Sequence, residues 1–258
     1  MKIAVVVRQV PDLIEPVEIA DSGKAVDLEG AAFRANEADD LALEQAILIK
    51  EKFGPSAVTV VALDFGDIDN TLYAAAAKGA DRIIKIPYDQ AQPPAPKQAA
   101  AMYAEVIRSL GADLVLVGTY AHDELESTLA PLVALKLDLP FVGVVRGVRP
   151  SADGSSATVF KEFPGAAVAK MNVKLPALLG ILSADEPPRY VPVSRIRSAM
   201  KTAKIEEQEV GAAALTSVAT IQRLHHPAVG QRAEILQGSV DQVAAKIVSI
   251  LREKGVLK

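Results

Sequence analysis

The stretch NEADDLALEQAILIKEKFGPSAVTVVAL, residues 36–63, decides the fold class. Its first part places apolar side chains at helical spacing, and Asn36 before it and Gly54 after it are residue types that favour helix ends. Its last part, residues 57–63, is a short and almost wholly apolar run, as expected of a strand covered on both faces of a parallel sheet. The stretch therefore predicts a helix over residues 36–53 followed by a buried strand.

The same alternation extends to both sides of this stretch. Residues 3–7 form an earlier apolar run, strands are predicted at 82–86 and 113–117, and helices are predicted at 69–78 and 97–110. Strands that alternate with helices of this length are typical of βαβ units. We therefore expect an α/β fold built on a mostly parallel, open, Rossmann-like sheet.

The pattern changes after about residue 140. Strand-like runs at 142–148, 157–162 and 167–173 are joined by turn-rich pieces, which predicts an antiparallel extension of the sheet. Residues 176–182 are one more apolar strand, and a terminal helix is predicted over 240–252.

Composition and charge exclude several classes of binding partner and of chemical site. The formal net charge of the 258-residue chain is −4 and no long block of like charge occurs, so neither nucleic acid nor an anionic membrane surface is indicated. The chain has no cysteine, which excludes disulfides, thiolate nucleophiles and cysteine-ligated metal or iron–sulfur sites. The opening MKIAVVVRQV has too short an apolar run for a signal peptide or a membrane span, so we expect a cytoplasmic protein.

Motifs for catalysis are missing from the sequence. No G-x-G-x-x-G follows the first strand, and neither a P-loop nor a G-x-S-x-G occurs. His225 and His226 have no nearby carboxylate of metal-site type, whereas His122 follows the strand at 113–117, where open parallel sheets bind ligands. We expect no metal site and no enzyme active site.

The order of four segments is more specific than any of these motifs. NEADDLALEQAILIKEK, AAAAKGADRIIKI, GADLVLVGTYAHDE and KLPALLGILSADEPPRYVPVSRIRSAMK follow one another along the chain. In this order and spacing the sequence resembles the β subunit of electron transfer flavoprotein over nearly its whole length. The resemblance implies an adenine-nucleotide-binding type of α/β fold, a heterodimer with a homologous α subunit, and one FAD carried mainly by α and shared at the interface. It implies an electron carrier between a flavin dehydrogenase and a quinone oxidoreductase or other acceptor.

The resemblance also divides the chain. Residues 1–184 correspond to the nucleotide-binding-like domain, residues 185–201 to a recognition loop and helix, and residues 202–258 to a C-terminal arm that packs on the partner subunit. The arm has little contiguous apolar pattern, which fits a segment that packs on another chain.

The resemblance implies an AMP site at the ends of the first and fourth strands. The family holds the phosphate with a loop D-D-x-x-N-Q-T-G that opens a helix; residues 123–130 match its first Asp but not its Asn, Thr or Gly. Ser127 and Thr128 can still donate to an anion, whereas Glu126 adds negative charge. AMP binding and an emptied site both stay open.

The cofactor contacts implied are Val6, Leu13, Asn36, Glu37, Ala38, Asp39, Leu63, Gly118, Asp123, Ser127 and Thr128. Among these, Leu13 takes a position from which an aromatic residue often covers the flavin ring.

Partner docking is the last role that the resemblance implies. Pro188, Arg189 and Tyr190 would fix the base of the recognition loop, and Val193 would be the apolar anchor for a client dehydrogenase. Arg195 and Arg197 would add a basic rim, and Glu162 would contact the flavin domain of the partner. The alternative for Val193 is that it packs inward on its own domain. The alternative for Arg195 and Arg197 is an ordinary solvated helix face, and that for Glu162 is a plain solvated strand residue.

Two other functions stay open beside the carrier. One is a nucleotide-binding sensing module of universal-stress-protein type, which would have little use for residues 185–258. The other is an electron-bifurcating β subunit with a second FAD in place of AMP.

Overall fold

The computed structural model describes residues 1–14, 16–124, 126–211, 221–228, 230 and 233–257. The chain divides into two units, Met1–Leu224 and His225–Lys258. The strands of the first unit are β1 (Lys2–Val6), β2 (Gln9–Pro11), β3 (Phe33–Ala35), β4 (Ala57–Leu63), β5 (Arg82–Ile86), β6 (Leu114–Gly118), β7 (Phe141–Pro150), β8 (Ser156–Phe163), β9 (Ala167–Lys174), β10 (Ala177–Ser183) and β11 (Ile205–Glu207). Its helices are α1 (Glu37–Lys52), α2 (Ile68–Lys78), α3 (Pro96–Leu110), α4 (Leu129–Leu137) and α5 (Val193–Thr202). The second unit holds helix α6 (Val240–Glu253).

Nine of these strands form one sheet in the order β11-β5-β4-β1-β6-β10-β7-β8-β9. All neighbours from β11 to β7 are parallel, whereas β7, β8 and β9 pair antiparallel. The short strands β2 and β3 form a separate antiparallel pair. The predicted fold class, a mostly parallel sheet with an antiparallel extension, is confirmed.

The central strands of the sheet are almost wholly apolar because helices cover both of its faces. In β1, Ile3 and Val5 face one core cluster with α1 and α2, while Ala4 and Val6 face the other with α3 and α4. Side chains alternate along a strand, so one continuous apolar run supplies both cores. This is why the central strands lack the polar positions of a half-exposed sheet.

Helix and strand ends agree with the sequence predictions within a residue or two. Helix α1 has Asn36 at its N-cap, although the Asn36 side chain does not cap the helix, and Gly54 follows its end with a φ of 104°. That φ lies in the left-handed region, which glycine adopts readily. The residue patterns did not predict α4, β2, β3 or β11. Helix α4 is nine residues long and almost uniformly apolar, so it has no helical periodicity to read.

Helix α6 of the second unit begins at a complete capping box. The Ser239 side chain accepts a hydrogen bond from the Gln242 N–H, and the Gln242 side chain accepts one from the Ser239 N–H. Two of the unpaired N–H groups at the helix start are satisfied in this way. The predicted terminal helix is therefore specified at its first turn by local sequence.

Two absences hold for the described residues. None of the helices there combines the length and the apolar character needed to cross a membrane. No group of three or more histidine, aspartate or glutamate side chains in those ranges is placed to hold a metal ion.

Candidate functional site

The carboxyl edge of the sheet brings together the ends of three neighbouring strands. Val6 ends β1, Leu63 ends β4 and Gly118 ends β6. The chain builds β4 and β5 on one side of β1 and then crosses to form β6 on the other side, so the strand order reverses between β1 and β6. Open α/β sheets bind ligands beyond the carboxyl ends of strands at such a reversal. We call this position the switch-point crevice.

Asp39 is the buried centre of the switch-point crevice. It lies in the first turn of α1, and none of its side chain is exposed. Its Oδ1 accepts hydrogen bonds from the Gly118 N–H at 2.9 Å and from Arg8 Nη2 at 3.0 Å. Its Oδ2 accepts from the Arg8 N–H at 3.0 Å and from Arg8 Nε at 2.9 Å. Four donors satisfy the carboxylate, as a buried charge requires, and they join α1 to the ends of β1 and β6.

Gly118 allows α1 to approach β6 this closely. A Cβ atom added at Gly118 would lie 2.6 Å from the backbone nitrogen of Asp39 and 2.6 Å from the carbonyl carbon of Ala38, and it would also collide with Asp39 Oδ1. Carbon cannot approach backbone atoms to that distance. Glycine is therefore needed here for the close approach of two backbones, and not for an unusual φ.

Arg8 follows β1 and fills the space between the strand ends. Besides its two bonds to Asp39, its guanidinium donates to Glu124 Oε2 at 3.1 Å, to Tyr120 O at 3.4 Å and to Gly118 O at 3.5 Å. Burial alone would lower the pKa of Arg8, but the Asp39 and Glu124 carboxylates more than offset this and raise it above its ordinary value. Arg8 is therefore a permanent cation, and its Nε, Nη1 and Nη2 atoms each donate to at least one oxygen of the chain.

Glu124 connects Arg8 to the start of α4. Its Oε1 accepts a hydrogen bond of 3.2 Å from the Leu129 N–H, the first residue of that helix. Burial raises the pKa of Glu124, and the bonds from Arg8 and Leu129 oppose that rise. A carboxylate at this place also interacts favourably with the positive end of the helix dipole.

The crevice holds only part of the cofactor set predicted from the sequence. The Asn36 amide donates to Tyr120 O at 2.8 Å, and Ala38 is buried against Gly118. Glu37 is exposed and pairs with Arg34 at the surface. The roles of these residues in cofactor binding stay predictions.

The loop before α4 contains the side chains to which the family resemblance assigns phosphate binding. Asp123 is exposed, and Ser127 has a φ of 50°, a left-handed backbone conformation. Thr128 is the N-cap of α4, but its hydroxyl makes no cap bond among the described residues. Leu129 and Ala130 are buried and carry no hydroxyl group. Phosphate binding by Ser127 and Thr128 stays a prediction.

Leu13 and Ile14 form an apolar tip beyond β2. Their side chains are 59% and 86% exposed. His122, in the loop after β6, hydrogen bonds through Nε2 to Pro11 O at 2.8 Å and so links this tip to the carboxyl edge of the sheet. The tip can pack against a flat apolar group that approaches this edge, but the side chains of Leu13 and Ile14 offer no hydrogen bond.

A second cluster fixes the predicted recognition loop to α1, and we call it the α1 clamp. The Arg189 guanidinium binds buried Glu44 through Nε at 3.0 Å and Nη2 at 2.8 Å, and it also binds Glu51 through Nη1 at 2.7 Å. The bond from Arg189 holds the pKa of Glu51 below its ordinary value. Gln45, also buried, exchanges hydrogen bonds with the N–H and the carboxylate of Asp185. The base of the loop is thus held by a charged, two-pronged contact.

The residues beyond the α1 clamp protrude from the molecule. Tyr190 is 84% exposed, and Val193, the first residue of α5, is 60% exposed, so Val193 does not pack inward. Pro188, Arg195 and Arg197 are also exposed, while α5 rests on α2. An exposed apolar side chain with two arginines beside it can fill a pocket on an acidic partner surface.

Glu162 lies on β8 in the antiparallel extension. Its Oε1 accepts a 2.7 Å hydrogen bond from Arg146 Nη1 on the neighbouring strand β7. Phe163, Val168 and Met171 near the end of this hairpin are exposed apolar residues. The contact of Glu162 with a partner domain stays a prediction.

Sequence reasoning did not single out Arg8, Glu44 or Gln45, and it read residue 124 only as part of a loop. A basic residue directly after the first strand was the one signal for Arg8. Glu44 and Gln45 sit among the apolar positions of α1, and polar residues on a buried helix face require partners elsewhere. Their partners lie more than 100 residues away in the sequence, so the sequence could not name them.

A family model and several known proteins that match this chain all carry the same family description. Residues 25–214 match the family model described as "Electron transfer flavoprotein domain". The electron transfer flavoprotein subunit beta of Methylophilus methylotrophus is 31% identical over 264 aligned residues, which cover 98% of each chain. The subunit of the same name from Bacillus subtilis is 28% identical with 98% of each chain covered, and that from Homo sapiens is 28% identical with 80% of each chain covered.

Proposed function

Since this chain belongs to the electron transfer flavoprotein β-subunit family, we propose that it is the β half of a two-subunit electron carrier whose α subunit holds FAD. The observation that carries the proposal is the match over 98% of both chains, because it includes the recognition loop and the C-terminal helix as well as the sheet. A sensing module on the same sheet would not need those segments. The cytoplasmic location expected from the sequence is part of the proposal.

FAD supplies the reversible uptake and release of electrons when the α subunit carries it. On this chain, the exposed apolar tip of Leu13 and Ile14 fits the role of covering an aromatic ring system at the interface. The tip would exclude water from one side of the ring without donating a hydrogen bond to it. Glu162, already paired with Arg146, would meet the partner's flavin domain from the hairpin.

The recognition loop would be the surface on which the client dehydrogenase docks. The α1 clamp fixes the base of the loop, so Tyr190 and Val193 are presented from a base that is already ordered. Ordering the base before contact reduces the conformational entropy lost on docking. We infer that a flavin dehydrogenase with an apolar pocket and an acidic rim docks here, and that a quinone oxidoreductase or another acceptor takes the electrons onward.

The C-terminal unit would hold the α subunit. Val240, Ile247 and Val248 of α6 are exposed apolar side chains on a capped helix. An amphipathic helix with an exposed apolar stripe is suited to a groove on another chain. The arm at residues 202–258 is therefore our candidate for the contact that joins the subunits.

The test is co-expression of the full chain with its candidate α subunit, followed by purification and release of bound small molecules. The proposal expects one FAD per complex and reduction of that FAD by a flavin dehydrogenase and its substrate. Failure of the two chains to form a complex, or a complex without flavin, would refute it. Two FAD per complex would instead identify the bifurcating alternative.

A further inference from the structure

The apolar tip of Leu13 and Ile14 extends from the end of the antiparallel pair of β2 and β3, which we call the β2–β3 ribbon. The ribbon is only three residue pairs long. A two-stranded ribbon of this length is not stable by itself in water. The position of the tip therefore depends on the contacts that hold the ribbon to the rest of the chain.

The inner side of the β2–β3 ribbon is held by a few specific contacts. Gln9 is buried, and its Nε2 donates to Asp67 O at 2.7 Å and to Thr71 Oγ1 at 2.8 Å at the start of α2. Phe33 packs edge-on against Phe65, with ring centroids 5.4 Å apart. An open cavity of about 310 Å³ lies between the ribbon and the two helices α1 and α2. Close packing therefore fixes only part of this inner side.

The hydrogen-bond pattern of the ribbon directs one carbonyl group away from β3. The Asn36 N–H donates to Arg8 O at 2.9 Å. The Asp12 N–H donates to Ala32 O at 2.8 Å. In an antiparallel pair, such hydrogen-bonded positions alternate with positions whose backbone groups point outward. Pro11 is at an outward position, so its carbonyl points away from β3, and as a proline it brings no N–H to that edge.

His122 binds this outward carbonyl. Its Nε2 lies 2.8 Å from Pro11 O, and since a carbonyl oxygen only accepts, Nε2 carries the proton and donates it. Pro11 comes two residues before Leu13, and the Ile14 N–H donates to Asp12 Oδ1 in the turn that follows. His122 is exposed and belongs to neither core cluster. Its bond therefore holds the tip end of the ribbon to the loop after β6 without supporting the sheet.

We propose that His122 is a positioning residue for the apolar tip. By donating to Pro11 O it holds Leu13 and Ile14 over the carboxyl edge of the sheet, where they shield a flavin ring from solvent. His122 acts through the ribbon and not by contact with the ring. The inference rests on the proposed function for the identity of the ring, but the holding of the ribbon by His122 is a property of this chain alone.

The first experiment measures amide hydrogen exchange of the full chain without any partner. The variants are His122→Ala, His122→Asn and His122→Gln. Glutamine places an amide N–H donor close to the position of Nε2, whereas asparagine is one methylene shorter and does not reach Pro11 O. The Asp12 N–H, which is bonded to Ala32 O, should exchange about fivefold faster in H122A and H122N, the change that loss of one hydrogen bond allows. H122Q should exchange at the unchanged rate, and all melting temperatures should agree because His122 is exposed.

The second experiment uses the complex of the full chain with its α subunit and FAD. The flavin is reduced with dithionite, and its bimolecular rate of reoxidation by dissolved O₂ is measured, since a ring shielded by the tip is less accessible to O₂. H122A and H122N should raise this rate about fivefold, in proportion to the fraction of open ribbon, and H122Q should restore it. Leu13→Ala is the reference, because it removes most of one shielding side chain, and it should also raise the rate.

Exchange at Asp12 that is unchanged in H122A would overturn the inference, and so would equal acceleration in H122A and H122Q. An unchanged reoxidation rate in H122A or in L13A would also overturn it, because the tip would then not be a shield that His122 positions. Either result leaves the electron carrier intact as long as the complex holds FAD and accepts electrons from a dehydrogenase. A complex without flavin would instead refute the proposed function and with it the shielding role, while the exchange measurement would still decide whether His122 holds the ribbon.

Discussion

The Arg189 guanidinium and the Glu44 carboxylate form a two-pronged ion pair, with Nη2 to Oε1 at 2.8 Å and Nε to the same oxygen at 3.0 Å. Glu44 lies on the inner face of α1 with only 3% of its side chain exposed. The pair joins a loop near residue 190 to a helix near residue 44. The base of the recognition loop is therefore held by a buried carboxylate, Glu44, which requires a positively charged partner.

Replacing Arg189 with alanine should lower the free energy of unfolding by about 3 kcal/mol, because it leaves the Glu44 carboxylate buried and without its main partner. Urea denaturation of the full chain measures the change. The control is Arg195→Ala, which removes the same type of charge from an exposed position and should change stability by less than about 0.5 kcal/mol. Equal effects of the two substitutions would contradict a stabilising role for the α1 clamp.

Replacing Val193 with aspartate should reduce kcat/KM for electron transfer from the client dehydrogenase about tenfold, because a charge cannot enter an apolar pocket. The FAD content and the melting temperature of the complex should not change, since Val193 is exposed. The matched control is Ser198→Asp, which adds the same charge at another exposed position of α5. The docking role would be wrong if both variants transferred electrons at the unchanged rate.

Replacing Gly118 with alanine should lower the free energy of unfolding by about 3 kcal/mol, because the added Cβ collides with the backbone of α1. Denaturant titration shows the loss. Gly211→Ala is the control, since a Cβ there would lie 3.7 Å from the nearest side-chain atom. A tolerated G118A would mean that α1 can shift away from β6, and the crevice would then be looser than described.

The pH dependence of stability should report on Glu124. Its pKa in the folded chain is raised above the ordinary value of 4.5, so the folded state binds this proton more tightly than the unfolded state does. The stability of the unchanged protein relative to Glu124→Gln should therefore rise as the pH falls through the raised pKa and level off below about 4.5. Urea unfolding of both proteins across this range tests the sign. A difference that falls with falling pH would show that Arg8, and not burial, controls Glu124.

The sequence predicted those parts of the fold that repeat a local pattern. Continuous apolar runs located β1, β4, β5, β6 and β10, and the spacing in residues 36–53 located α1. Helix α4 and the three-residue strands carry too little pattern, because a short apolar run suits a helix and a strand equally. Local sequence patterns could not predict the switch-point crevice, for a different reason. Its charges come from positions 8, 39 and 124, and only the crossover from β5 to β6 brings them together.

The reversal of strand order between β1 and β6 is bridged, in this chain, by the side chains of Arg8, Asp39 and Glu124. These residues come from three separate segments, so the complete set of contacts can form only after the chain has crossed from β5 to β6. The local stability of this edge therefore depends on the whole parallel sheet and not on any one βα unit.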